Sequence, residues 1–150
     1  MLNVIAVGTD GSPTADRAVE AAIDMAQRFG AELVVLSAYQ AKPSGVTASA
    51  LAVGWMPATP LDVGWTDEAS ERVEQILARA RERAQRRGVE CRCQAAEGDP
   101  AEMLIELAES HDADLLVIGN RGMQRRVLGS VPNTITHKAR CSVLVVKTSG

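Results

Sequence analysis

The chain has 150 residues, is 46% hydrophobic and 23% charged, and carries a formal net charge of −3. A chain of this length buries about 68–70% of its unfolded surface as one domain, so it needs no disulfide or metal staple. The acidic balance argues against a general nucleic-acid binder. No apolar run approaches the roughly 18 residues of a membrane span.

Aromatic residues make up only 3%, so the core must be aliphatic. Met1-Leu2-Asn3-Val4-Ile5 has no basic region ahead of an apolar run, and no secretory leader is expected. Three cysteines, Cys91, Cys93 and Cys141, then point to reduced thiols in a cytoplasm. The Cys91-x-Cys93 spacing is not that of structural zinc. Apolar and polar residues alternate from Val89 to Ala95, which places both thiols on one strand face, where core packing is the expected role.

Residues 3–8 form a short apolar run that reads as a buried strand. Ser12 and Pro13 suit the cap and first position of a helix, whose stripe is Ala15, Ala18, Val19, Ala22, Ala26 and Phe29. Gly30 ends it, and residues 32–38 form a second strand. Residues 41–65 break the rhythm with Pro43, Pro57, Pro60 and three glycines, and carry both tryptophans, Trp55 and Trp65. This segment reads as a long packed cover that closes over the crevice when ligand binds. A helix is expected from about Asp67, with Val73, Ile76, Leu77, Ala80 and Ala84 inward and its arginines and glutamates on a solvated face.

A third strand spans 89–96. Gly98-Asp99-Pro100 opens a helix carrying Met103, Leu104, Leu107 and Ala108. Residues 114–119 form a fourth strand, 130–139 a helix that contains His137 on a solvated surface, and 142–147 a fifth strand. Short apolar strands alternating with amphipathic helices predict an α/β fold: an open five-stranded parallel sheet with helices on both faces. Strand order 3-2-1-4-5 is the natural choice, with the winding reversed between strands 1 and 4. Ligands bind beyond the carboxyl ends of strands at such a reversal.

Two Gly-rich loops would face each other there. Gly8-Thr9-Asp10-Gly11-Ser12-Pro13 puts one carboxylate at a strand end, ahead of a helix N-terminus. As a motif alone it is equally a turn whose residues serve geometry and capping. The second loop runs from Gly119-Asn120-Arg121-Gly122 to Gly129-Ser130-Val131. Its glycines let the backbone approach a polyphosphate, and amides at the helix start can cradle phosphate oxygens. From Leu115 to Gly150 every charged side chain is basic: Arg121, Arg125, Arg126, Lys138, Arg140 and Lys147. There is no Walker A loop, no G-x-G-x-x-G fingerprint and no G-x-S-x-G elbow. No acidic pair follows strand 1, which excludes a phospho-acceptor site of the response-regulator kind.

The combination of Val4-Ile5-Ala6-Val7-Gly8-Thr9-Asp10-Gly11-Ser12, the Gly119-to-Val131 segment and Val143-Leu144-Val145-Val146-Lys147 resembles the ATP-binding type of universal stress protein. The resemblance covers nearly the whole chain, 1–150, as one nucleotide-binding domain. The family pattern is Gly, two residues, Gly, nine residues, then Gly and Ser or Thr. Gly119, Gly122, Gly129 and Ser130 match it, but the spacer 123–128 has six residues. A three-residue shortening removes about one helical turn.

The resemblance implies an adenine-nucleotide alpha-hydrolase-like fold and a regulatory role in stress adaptation. It implies ATP with Mg2+ as the ligand, with cyclic AMP as the second option. Gly8, Thr9 and Asp10 would line the adenosine side, Ala38 would meet adenine through its backbone, and Ile118 would flank the base or ribose. Gly119, Gly122, Gly129, Ser130 and Val131 would hold ribose and phosphates. The resemblance also implies a homodimer through the last strand, at Val143, Leu144, Val145 and Val146. The competing readings are a weak ATPase or autophosphorylating enzyme and a nucleotide-free adaptor. No pair of residues looks like a general base with its nucleophile.

Overall fold

A computed structural model describes residues 2–40, 62–120 and 128–147. The elements run β1 (Val4–Gly8), α1 (Pro13–Phe29), β2 (Glu32–Tyr39), α2 (Asp62–Arg86), β3 (Cys91–Glu97), α3 (Pro100–Ser110), β4 (Leu115–Gly119), α4 (Ser130–Lys138) and β5 (Ser142–Val146). All four strand pairings are parallel, and the sheet order is β3-β2-β1-β4-β5, as the alternating pattern predicts.

The strands are apolar on both faces because both are covered. Ile5, Val7, Leu33, Val35, Leu115 and Val117 pack with α1 and α2 on one side. Their neighbours Ala6, Val34, Leu36, Leu116 and Ile118 pack with α3 and α4 on the other. Successive strand residues point to opposite faces, so a single run of aliphatics supplies both cores. Right-handed crossovers explain the sorting. The chain moves one way across the sheet through α1 and α2, then returns past β1 through α3 and α4.

Helix starts follow from local chemistry. Ser12 Oγ accepts from Ala15 N at 3.2 Å and Pro13 follows it. Asp99 Oδ2 accepts from Glu102 N at 3.2 Å and Pro100 follows it. Each cap satisfies an amide that the helix itself cannot. At the other end of α1, Gly30 turns the chain at φ +63.

Several expectations need correction. Phe29 is 59% exposed: it is the last residue of α1, where the helix gives way to the Gly30 turn. The helix expected from Asp67 begins at Asp62, so 62–65 belong to α2 and not to a loop. Residues 41–61, including Trp55, and the side chain of Trp65 lie outside the described residues, and so does their expected closure. The charged face of α2 is only partly solvated. Arg83 reaches Asp16 and Glu20 of α1 at 3.7 and 3.5 Å, and Arg87 reaches Asp24 at 3.0 Å. These pairs tie α2 to α1 above their shared apolar seam. His137 is exposed, in the last turn of α4.

Two carboxylates make the fold acid-sensitive. The Arg87 and Arg28 guanidinium groups hold Asp24 below the ordinary carboxylate range. Asp114 is lowered by main-chain donors, accepting from Val4 N at 3.0 Å and Asn3 N at 2.8 Å. Both groups bind protons more weakly folded than unfolded. Their contribution is therefore complete above about pH 4 and is lost as pH falls through the lowered folded values. Urea titrations across this range should show stability falling with acidification. Asp114→Asn should flatten that fall, and an unchanged acid limb would refute the assignment.

Candidate functional site

The carboxyl ends of β1, β2 and β4 open onto a cleft of about 390 Å³. It lies at the winding reversal between β1 and β4. Three helices start around it: Ser12, Thr14 and Ala15 line it from α1, Pro100 and Leu104 from α3, and Gly129, Ser130, Val131 and Pro132 from α4. Helix N-termini carry partial positive charge, and three of them converging favour an anion.

The β1–α1 turn is held by its own side chains. Thr9 N donates to Leu36 O at 2.9 Å, which carries the β1–β2 pairing past the strand end. Thr9 Oγ1 accepts from Gly11 N at 3.1 Å, and Asp10 Oδ1 accepts from Ser12 N at 2.9 Å. Gly11 sits at φ +79 with Ile76 of α2 against it, so a side chain there would be both strained and crowded. Asp10 is exposed in the cleft with one oxygen engaged in the turn. It is the only charged side chain on the cleft wall among the described residues.

The opposite wall is built on close packing. A Cβ at Gly119 would come within 2.9 Å of Thr14 O, so β4 meets the first turn of α1 backbone to backbone. Next along, Asn120 is completely buried, and its Oδ1 accepts from Gly129 N at 3.0 Å. This bond closes the ends of the 121–128 segment onto each other. Gly129 is the cap position of α4, so the helix starts one residue after the cap with Ser130 exposed at its first position. Among the described residues no side chain caps α4, unlike α1 and α3. Its first amides are thus left to solvent or ligand.

Of the residues singled out in the sequence, Gly8, Thr9, Asp10, Ala38, Ile118, Gly119, Gly129, Ser130 and Val131 all line this one cleft. Gly122 lies outside the described residues, together with Arg121, Arg125 and Arg126. Sequence reasoning missed Asn120, Leu104 and Pro132. Asn120 had one signal: an amide side chain directly after a buried strand needs a partner, but its partner is nine residues on.

The universal stress protein family model matches residues 1–147. The chain belongs to that family. Universal stress protein YxiE of Bacillus subtilis is 30% identical over 98% of this chain and 100% of its own. Universal stress protein Rv1636 of Mycobacterium tuberculosis is 33% identical over 97% of this chain and 96% of its own. A universal stress protein solved in complex with cAMP is 32% identical, with a TM-score of 0.70 over 99% of this chain and 98% of that one. UspA of Lactobacillus plantarum, 22% identical over 97% of each chain, has the same fold with a TM-score of 0.76. The architecture is the family's adenine-nucleotide alpha-hydrolase-like sheet.

Asn120 gives a direct test of how the loop is closed. Asn120→Ala strands the Gly129 amide and should cost about 1–3 kcal/mol of stability in urea unfolding. A loss within experimental error would show that Gly129 needs no anchor.

Proposed function

We propose that this cleft binds an adenine nucleotide and that the chain is a nucleotide-responsive regulatory module. The observation that carries the reading is the meeting of the β1–α1 turn and the uncapped start of α4 across one cleft at the sheet's winding reversal. Ala38, Leu104, Ile118 and Val131 offer an apolar wall for a base, and about 390 Å³ is within the range of small-ligand sites. The amides near Ser130 and its hydroxyl suit phosphate oxygens. Asp10, exposed on the cleft wall, is placed to meet a ribose or base donor, which is a binding role rather than a catalytic one.

ATP is the ligand we favour, since Arg121, Arg125 and Arg126 all fall in the segment that joins the phosphate-side residues. Gly122 belongs to the same segment and to the same proposed phosphate grip. No group of three or more His, Cys, Asp or Glu could hold a metal among the described residues. Mg2+ would therefore arrive with the triphosphate. Cyclic AMP is the second reading, favoured by the 32% identical relative solved with it.

Calorimetry with ATP and with cyclic AMP tests both. Saturable ATP binding is expected, weakened roughly tenfold or more in Ser130→Ala by loss of one charge-assisted hydrogen bond. Tighter cyclic AMP than ATP binding would select the second reading. No heat with either, and no nucleotide released on denaturing the purified protein, would overturn the site.

We also infer a homodimer through β5. Val143, Leu144, Val145 and Val146 are half-buried on the sheet's outer strand, where an apolar edge invites a second copy. Sedimentation should give a dimer without nucleotide, and Val145→Lys should give monomer or insoluble protein. A wild-type chain that stays monomeric at high concentration would refute this.

A further inference from the structure

Cys91 and Cys93 pack against the core on the α2 face of the sheet, as the alternation predicts, but only in part. In register with these cysteines on the adjacent strand are Leu33 and Val35, both fully buried. Cys91 and Cys93 themselves are only half-buried. They lie on the edge strand of the sheet, on the face that α2 covers. Packing occupies one side of each thiol and leaves the other open to a ligand.

Their geometry restricts the chemistry. Residues two apart on a strand place their Cβ atoms about 6.6 Å apart on one face. A disulfide needs Cβ atoms about 3.8 Å apart, which would require the strand to buckle. Two thiolates on opposite sides of one metal ion, with metal–sulfur bonds of about 2.3 Å, need sulfurs only about 4.6 Å apart. Each side chain then leans inward by about 1 Å, with the strand undisturbed. Cys93 Sγ lies 3.7 Å from Leu77 O, and Cys91 Sγ 3.7 Å from Arg92 O.

The surroundings narrow the ion. No third His, Cys, Asp or Glu joins the pair among the described residues, so a tetrahedral or octahedral ion lacks ligands. Soft thiolate donors select soft ions. Two thiolates around a monovalent ion leave one net negative charge. The Arg81 guanidinium of α2 acts on both sulfurs and offsets it.

We propose that Cys91 and Cys93 form a two-coordinate thiolate site for a monovalent soft metal ion of the copper(I) class. Each thiol gives its proton to solvent as its sulfur bonds the ion. Two S–H bonds are exchanged for two S–metal bonds, and nothing changes oxidation state. The site is on the α2 face of the sheet edge, and it stands whether or not the nucleotide reading does.

The test uses the full reduced chain without oxygen, with copper(I) supplied on a coloured chelator. The wild type and Cys141→Ser should each withdraw one ion per chain. Cys91→Ser and Cys93→Ser should withdraw none. X-ray absorption of the copper-loaded wild type, which needs no substitution, should show two sulfur neighbours. The proposal is overturned if the wild type leaves the chelator loaded, if either single serine variant keeps full binding, if Cys141→Ser abolishes it, or if three sulfurs surround the copper.

Discussion

Everything at the candidate site depends on one constraint, the parallel pairing of five strands buried on both faces. Parallel strands must be joined by crossovers, and right-handed crossovers commit each helix to a face. The carboxyl ends of all strands then lie along one edge of the sheet, and the helix N-termini lie there too. Because the order is β3-β2-β1-β4-β5, the helices after β1 and β4 diverge to opposite faces. The gap they leave is the cleft. No side chain has to create it.

Within that gap, polar groups are distributed unevenly. The starts of α1 and α3 are satisfied by Ser12 and Asp99 from their own sequence. The start of α4 is not, and the buried amide of Asn120 instead holds its cap residue in place. A buried polar side chain is costly unless it is bonded, so Asn120 makes the loop's closure part of the fold's stability. The geometry that would receive a ligand is thus anchored from the core outward.

The opposite face is secured differently. Arg83 and Arg87 of α2 meet the acidic stripe Asp16, Glu20 and Asp24 of α1. Exposed ion pairs are each weak, but several along one seam set the register of two helices that otherwise share only small and aliphatic residues. Ile76 of the same helix packs against Gly11, so the position of α2 bears on the β1–α1 turn. The cleft and the α1–α2 layer are therefore mechanically linked through one glycine.

The sequence by itself determined the class of fold and most of the cleft's wall. Runs such as Val4–Gly8 and Leu115–Gly119 are too short and too apolar to be anything but buried parallel strands when amphipathic helices separate them. Ser12-Pro13 and Asp99-Pro100 announce helix starts through local chemistry that needs no partner. The glycines after β1 and β4 mark the two loops for the same reason. Tertiary structure alone decided what depends on distant residues. That Asn120 reaches Gly129, that Arg83 and Arg87 find α1 rather than water, and that Phe29 is exposed are all matters of spacing in three dimensions. So is the half-burial of Cys91 and Cys93: alternation puts them on one face, but only their place on the edge strand leaves that face incompletely covered. Local patterns report what a residue prefers, and only packing settles which neighbour is there to satisfy it.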